Sequence, residues 1–125
     1  MTRYLLDTDC SIYAMMGSFP ALGERLAQCE PSEVAISAIS YAEIVMGQGR
    51  GTPPDMPIID MFLKAVPMLS FDESAARAYA TVPFKRRSFD RLIAAHALSL
   101  GAIVITNNEA DFADVPGLKV ENWTV

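Results

Sequence analysis

The chain has little of what several functional classes require. Its 125 residues include one histidine, His96, and two cysteines, Cys10 and Cys29. None of the three stands at ligand spacing from another, so zinc chemistry is excluded. Two isolated cysteines make no disulfide framework and read as reduced, structural thiols. Basic residues are also few: ten Lys and Arg against fifteen Asp and Glu give a formal charge of -5, which by itself argues against a polyanionic partner. There is no low-complexity tract and no long run of one sign, so composition excludes disorder. The most apolar stretch, Leu92 to Thr106, is broken by His96, Ser99 and Gly101. It falls short of the roughly 18 to 20 apolar residues of a membrane span. The N-terminal segment meets Asp7 before any signal-peptide apolar region develops, so a cytoplasmic protein with no membrane partner is expected.

What is present is apolar: 51% of residues are hydrophobic, enough for one domain over residues 1–125 with a real core. Tyr4-Leu5-Leu6 reads as a strand buried on both faces, as in a parallel sheet. Ser11 to Met16 and Pro20 to Cys29 read as helices, and Val34 to Ser37 as a second strand. Ser40 opens a helix to about Met46, with Gly47 and Gly49 as stops and Gly47 to Pro57 as a mobile loop. Ile58 to Ala65 is a helix, Met68 to Phe71 a third strand, and Asp72 to Val82 a helix with Asp72 as its cap. Ser88 starts a helix through Leu100, closed by Gly101. Ala102 to Ile105 is a fourth strand and Leu118 to Val120 an edge strand. Strands alternating with helices predict an α/β fold, a mostly parallel central sheet with helices on both faces.

In such a sheet ligands bind at the carboxyl ends of the strands, and there the sequence places acids and amides. Asp7 and Asp9 follow the first strand, Glu43 lies early in the helix after the second, and Asn107, Asn108, Glu109 and Asp111 follow the fourth. Asp90 sits in the first turn of the helix leading to that strand; topology alone does not fix its end of the sheet. Each has a structural explanation of its own. Ser40 and Glu43 match a capping box, Asp90 suits the helix dipole, Asp9 suits an N-cap, and Asp111 can cap a turn with Asn108. Asp7 resists this treatment, because a carboxylate at the end of a buried strand is costly unless neutralised. Caps explain the acids singly but not their convergence. Carboxylates drawn together raise one another's pKa values unless a cation is present. Oxygen-only ligands select Mg²⁺ or Mn²⁺, and such an ion with open positions suits phosphoester hydrolysis.

Four ordered blocks carry a family resemblance: Tyr4-Leu-Leu-Asp7-Thr8; Ser37-Ala-Ile-Ser40-Tyr-Ala-Glu43-Ile-Val-Met-Gly47; Asp90-Arg-Leu-Ile-Ala-Ala-His96; and Thr106-Asn-Asn108-Glu-Ala-Asp111-Phe112. Together they resemble the PIN-domain ribonucleases of the VapC toxin type, as does the tail from Val115 to Trp123. The resemblance implies a three-layer PIN-like fold and a Mg²⁺- or Mn²⁺-dependent endoribonuclease acting on tRNA or other structured RNA. It also implies inhibition by a cognate, VapB-like antitoxin, with a homodimer and a larger toxin-antitoxin assembly. By position it makes Asp7, Glu43 and Asp90 metal ligands and catalytic acids. The fourth acid is Asp111, assisted by Asn108, although some relatives use the Asn108 position itself. Asp9 either joins the site or caps the helix. Thr8 and Thr106 are expected to hydrogen-bond the carboxylates. The implied chemistry is in-line attack by an activated water, leaving a 5′-phosphate and a 3′-hydroxyl.

Lys85, Arg86, Arg87 and Arg91 form the basic cluster beside Asp90 and are the candidates for binding an RNA backbone; a solvated face is the alternative. His96 reads as a core residue ahead of a general base, and Trp123 as a packing anchor ahead of a stacking platform. Met56, Met61 and Phe62 are core residues or the lining of a groove for an antitoxin segment. Three other functions compete. Asp7-Thr-Asp9 is similar to the motif of haloacid-dehalogenase-type phosphatases with Asp7 as nucleophile, but the later Lys and acidic pair are missing. A receiver-like signalling domain would need an Asp after the third strand and a Lys after the last, and has neither. A catalytically silent PIN-fold binding module would not retain every acid.

Overall fold

Three apolar residues ahead of the first acid build the central strand. In the computed structural model, which describes residues 1–125, β1 (Tyr4–Leu6) lies between β2 (Val34–Ser37) and β4 (Ile103–Ile105). Two-residue edges, β3 (Met68–Leu69) and β5 (Val120–Glu121), complete the order β3-β2-β1-β4-β5. Every pair is parallel. An all-parallel sheet needs both faces covered, and six helices do this: α1 (Thr8–Met16), α2 (Pro20–Ala27), α3 (Ala38–Gly49), α4 (Met56–Ala65), α5 (Glu73–Tyr79) and α6 (Phe89–Leu100).

The pleat sorts the core into two halves. Leu5, Ala35 and Val104 pack with Ile93, Ala94 and Ala97 of α6 and with Phe112. Leu6, Ile36 and Ile105 face the other way, onto Cys10, Leu22, Ile44 and Ile59 of α1 to α4 and onto Trp123. Trp123 is the expected anchor: it is buried, its indole N–H donates to Glu121 Oε1 at 2.8 Å, and Tyr4 meets it edge-on. His96 is likewise a core residue. Its Nδ1 lies 2.8 Å from the Ser37 hydroxyl, Phe71 packs edge-on against its ring, and burial lowers its pKa, keeping the imidazole neutral.

Several element boundaries differ from the sequence expectation. The first helix begins at Thr8, and its cap is Asp7, not Asp9: the Asp7 carboxylate accepts the Cys10 N–H at 2.8 Å. The helix expected from Ser40 begins at Ala38, with the Ser37 hydroxyl accepting the Ile39 N–H at 3.0 Å. It runs on through Gly47 and Gly49, and α4 resumes at Met56, so both ends of the expected loop are helical and only residues 50–55 between them are not. A glycine ends a helix by taking a left-handed conformation, and Gly51, at φ 85°, is the residue that does so here. Gly101, at φ 65°, closes α6 as expected. The helix after Asp72 stops at Tyr79, short of Val82, and the last strand lies at Val120–Glu121, displaced from Leu118 to Val120.

In this strand order the chain departs in opposite directions from β1 and β4, which are neighbours. Their carboxyl ends therefore open a crevice, the place where such sheets bind ligands. The residues that follow are Asp7-Thr8 and Thr106-Asn107-Asn108.

Candidate active site

Asp7 leaves β1 and is 5% exposed. Its backbone N–H donates to Ile105 O at 3.0 Å, tying it to β4. Burial raises its carboxyl pKa, while hydrogen bonds from the Thr106 side chain and from Cys10 pull it back down. Thr106 is fully buried at the end of β4, and its hydroxyl accepts the Asn108 N–H at 3.0 Å, which leaves the hydroxyl proton for Asp7. An uncompensated carboxylate at the end of a buried strand is thus partly satisfied by one cap and one threonine.

Glu43 stands in the second turn of α3. Its Oε1 accepts the Thr8 hydroxyl at 2.5 Å, and its pKa is raised by burial and then by Asp9 and Asp7. The capping-box reading of Glu43 does not hold, because the true cap is Ser37 and Ser40 lies inside the helix with a buried hydroxyl that has no partner. Asp90, in the first turn of α6, is pushed up to about 6. Burial is the largest cause, followed by the charges of Asp7, Asp111, Glu43 and Asp9 in that order. Asp111 ends a short 3-10 turn (Glu109–Asp111), and the Asn108 amide donates to its Oδ2 at 2.7 Å.

All the expected acids are therefore within electrostatic reach of Asp90. They surround a cavity of about 310 Å³ lined by Glu43, Asp90 and Asp111 together with Lys85, Arg87, Ser88 and Phe89. Asp7 is buried behind this lining, yet it is the strongest of the charges acting on Asp90. No three side chains of His, Cys, Asp and Glu close tightly enough to hold an ion unaided. The donors are all carboxylate oxygens in mutual repulsion, a set that suits a hard divalent cation completing its shell with water. Asp7 is a poor phosphatase nucleophile, since its carboxylate is enclosed and serves as a helix cap.

The basic cluster divides. Lys85 and Arg87 line the cavity, and Arg86 is exposed in the same segment outside it. Arg91 does not join them. Its side chain is 1% exposed and turned inward onto Asp114, so a phosphate backbone cannot reach it. Adjacency in sequence grouped it with its neighbours, whereas the helix carries its side chain to the buried face. Two lining residues, Ser88 and Phe89, escaped the sequence reading; the available signal was a large apolar residue at the first position of a helix, beside an acid. Arg87, at φ 59°, is the one non-glycine residue in left-handed conformation.

On the far side of α1, Ala14, Met15, Pro57, Ile58, Met61 and Phe62 form an apolar hollow of about 340 Å³. A larger groove of about 610 Å³ adjoins it between α1, α2 and α4, sharing Ala14 and Phe62. Met61 and Phe62 line this surface, and Phe62, like Met56, also packs on the core.

The family model described as PIN domain matches residues 4–118. The chain is 27% identical to the tRNA(fMet)-specific endonuclease VapC of Salmonella typhimurium, over 98% of this chain and 99% of that one. It is 30% identical to ribonuclease VapC1 of Haemophilus influenzae, over 97% and 98%. Among solved structures it is similar to DNA-bound VapBC from Salmonella typhimurium, with a TM-score of 0.87 and 27% identity over 98% and 99% of the two chains. It is also similar to VapBC-1 from nontypeable Haemophilus influenzae, with a TM-score of 0.80 and 29% identity over 99% and 100%.

Proposed function

The chain belongs to the PIN-domain family, and from that premise we propose a metal-dependent endoribonuclease toxin, neutralised by a cognate antitoxin, with the acid-lined cavity as its active site. The observation that carries this reading is the convergence of Asp7, Glu43 and Asp111 on Asp90, whose carboxyl they help to raise to about 6. Structure alone gives no reason to gather four acids from four separate segments. The family's chemistry does.

PIN-domain nucleases use a divalent metal, and an all-oxygen donor set fits Mg²⁺ or Mn²⁺. Asp7, Glu43 and Asp90 would hold the ion, with Asp111 as the fourth acid. When bound it would activate a water and neutralise charge on the phosphorane-like transition state. The protein's own groups supply position. The Thr8 hydroxyl and the Asn108 amide orient Glu43 and Asp111. Thr106 and the Cys10 N–H fix Asp7. Lys85 and Arg87 face the same cavity and offer charge to the RNA backbone on either side of the scissile bond.

The substrate is tRNA or another structured RNA, in line with the relatives' names. The partner is a VapB-like antitoxin, as in the VapBC complexes, and its apolar segment takes the groove between α1, α2 and α4. Homodimerisation, a single domain over 1–125 and a cytoplasmic location complete the reading; no helix is long and apolar enough to cross a membrane.

The test is cleavage of a tRNA pool by purified protein freed of antitoxin, with Mg²⁺ or Mn²⁺, against Asp7→Asn protein. Discrete cleavage by the wild type, lost in the variant and in EDTA, is expected. Equal activity in both proteins, or activity undiminished by EDTA, overturns the assignment.

A further inference from the structure

Phe89 is the one apolar residue in the lining of the acid cavity, and it is 54% exposed. Folding does not account for it. It belongs to neither core cluster and makes no aromatic pair. The cations that do lie over rings are elsewhere, Arg3 on Tyr4 and Arg25 on Trp123. It is the first residue of α6 after Ser88, where a helix gains nothing from a phenyl group. More than half of the residue stays open to water on the wall of a cavity of carboxylates and cations, where an apolar ring contributes little by burial.

A nucleotide entering this cavity supplies the missing partner. Its phosphate is drawn toward Lys85 and Arg87, and toward the acids only once a divalent ion neutralises them, and its base must then lie beside the phosphate, within reach of the same wall. Resting on the ribonuclease reading above, we infer that Phe89 is a stacking platform for the nucleobase next to the scissile phosphate. A base inside a duplex has both faces covered, so the base that Phe89 accepts is unpaired or flipped out. The site therefore selects a loop, bulge or single strand at the cleaved bond without reading base identity, since every base has a stacking face. Phe84, 76% exposed in the same segment but outside the lining, has no such role.

The experiment uses the full-length protein with Mg²⁺ and a synthetic RNA hairpin carrying the cleavage site mapped in the tRNA pool. A second hairpin lacks the base beside the scissile bond. Phe89→Ala and Phe89→Leu are expected to lower kcat/KM by about 10-fold or more, equivalent to ~1.4 kcal/mol and within the range for one base stacked on an aromatic ring. Phe89→Trp retains activity, and Phe84→Ala matches the wild type. The abasic hairpin should cost the wild type a similar factor and cost Phe89→Ala nothing further, the non-additivity that marks a shared contact. Leucine keeps the apolar volume without the aromatic face, so loss in both variants separates stacking from folding. Wild-type cleavage with Phe89→Ala unimpaired, or with the two penalties additive, overturns the stacking role alone. Intact cleavage with weakened antitoxin binding reassigns Phe89 to a protein contact. A wild type that cuts no RNA overturns the ribonuclease reading itself, and this inference with it.

Discussion

Arg91, the residue after Asp90 in α6, is turned into the protein onto Asp114: Nη2 donates to Oδ2 at 3.2 Å and Nη1 lies 2.8 Å from Oδ1. The Nη1 contact is one of charge and distance, without the alignment of a hydrogen bond, and Nε has no partner. A buried guanidinium cannot shed its proton, so Asp114 is what keeps this charge tolerable. The pair also ties the helix that carries Asp90 to the segment that follows Asp111, and so sets the spacing of two acids of the cavity.

Arg91→Lys keeps the charge but not the planar fork. It should lower the melting temperature by several degrees and reduce cleavage together with it, whereas Arg86→Gln in the exposed segment should leave the melting temperature unchanged. Asp114→Asn adds a pH signature. The hydrogen bond from Arg91 is the main reason the Asp114 carboxyl titrates below its ordinary value. A depressed acid contributes stability above the unfolded carboxylate value, ~3.9, and loses it as pH falls through the folded one. Melting curves of wild type and Asp114→Asn should therefore differ at neutral pH and converge below the carboxylate range. A constant difference across that window would show that the ion pair is not the cause.

Asp90 carries the opposite sign. Its folded value of about 6 lies above the unfolded ~3.9, so the metal-free protein takes up a proton on folding between those values. Its stability should fall as pH rises across this window and level off above about 6. Asp90→Asn relieves the conflict: the metal-free variant should melt a few degrees higher than the wild type at pH 7 and show a shallower slope between pH 4 and 6, the remainder coming from Asp7 and Glu43, whose carboxyls are raised too. The same substitution removes a ligand to the proposed ion and should reduce cleavage by at least ~100-fold, a few kcal/mol of transition-state charge stabilisation. Calorimetry at several pH values together with a cleavage assay reads both effects. A variant that is less stable without metal at pH 7 would deny the electrostatic conflict.

Glu43 is oriented by one hydroxyl. Thr8→Val replaces the donor at 2.5 Å with a methyl group of similar shape and leaves the carboxylate free to rotate. Groups that orient a metal ligand typically contribute 10- to 100-fold in affinity or activity. Titration calorimetry should show Mn²⁺ binding weaker by about 10-fold, with Thr8→Ser recovering most of it. Equal affinity in Thr8→Val would mean that Glu43 is held by its burial alone.

The sheet was legible in the sequence because each central strand is a short apolar run that ends at a polar residue: Leu6 before Asp7, Ile36 before Ser37, Ile105 before Thr106. The acids were legible as a set because their chemistry has few other uses once drawn together. Caps were less so. Asp7 rather than Asp9, and Ser37 rather than Ser40, begin their helices, and the choice depends on where the strand releases the chain. Neighbours in sequence also misled: Lys85, Arg87 and Arg91 look like one patch, yet a helical turn sends Arg91 inward while the others face the cavity. Phe89 had only a weak signal, a large apolar residue at the first position of a helix beside an acid, which does not by itself tell a ring that packs from one left open to a cavity.

The formal charge of -5 returns here as a statement about RNA binding. Counting Asp7, Glu43, Asp90 and Asp111 out of the total leaves the rest of the chain at -1, so the acidity belongs largely to the cavity. Without divalent ion that cavity repels a phosphate backbone, and affinity must come from few cations. Lys85→Gln and Arg87→Gln should each weaken RNA binding in Mg²⁺. Each should also flatten the dependence of log K on log salt by ~0.7 to 0.9, the slope of one phosphate contact, while Arg91→Lys leaves the slope unchanged. Filter binding across a KCl series reads this directly. Tight RNA binding by the wild type in EDTA would contradict it, since only a positive surface larger than Lys85 and Arg87 could then outweigh the four carboxylates.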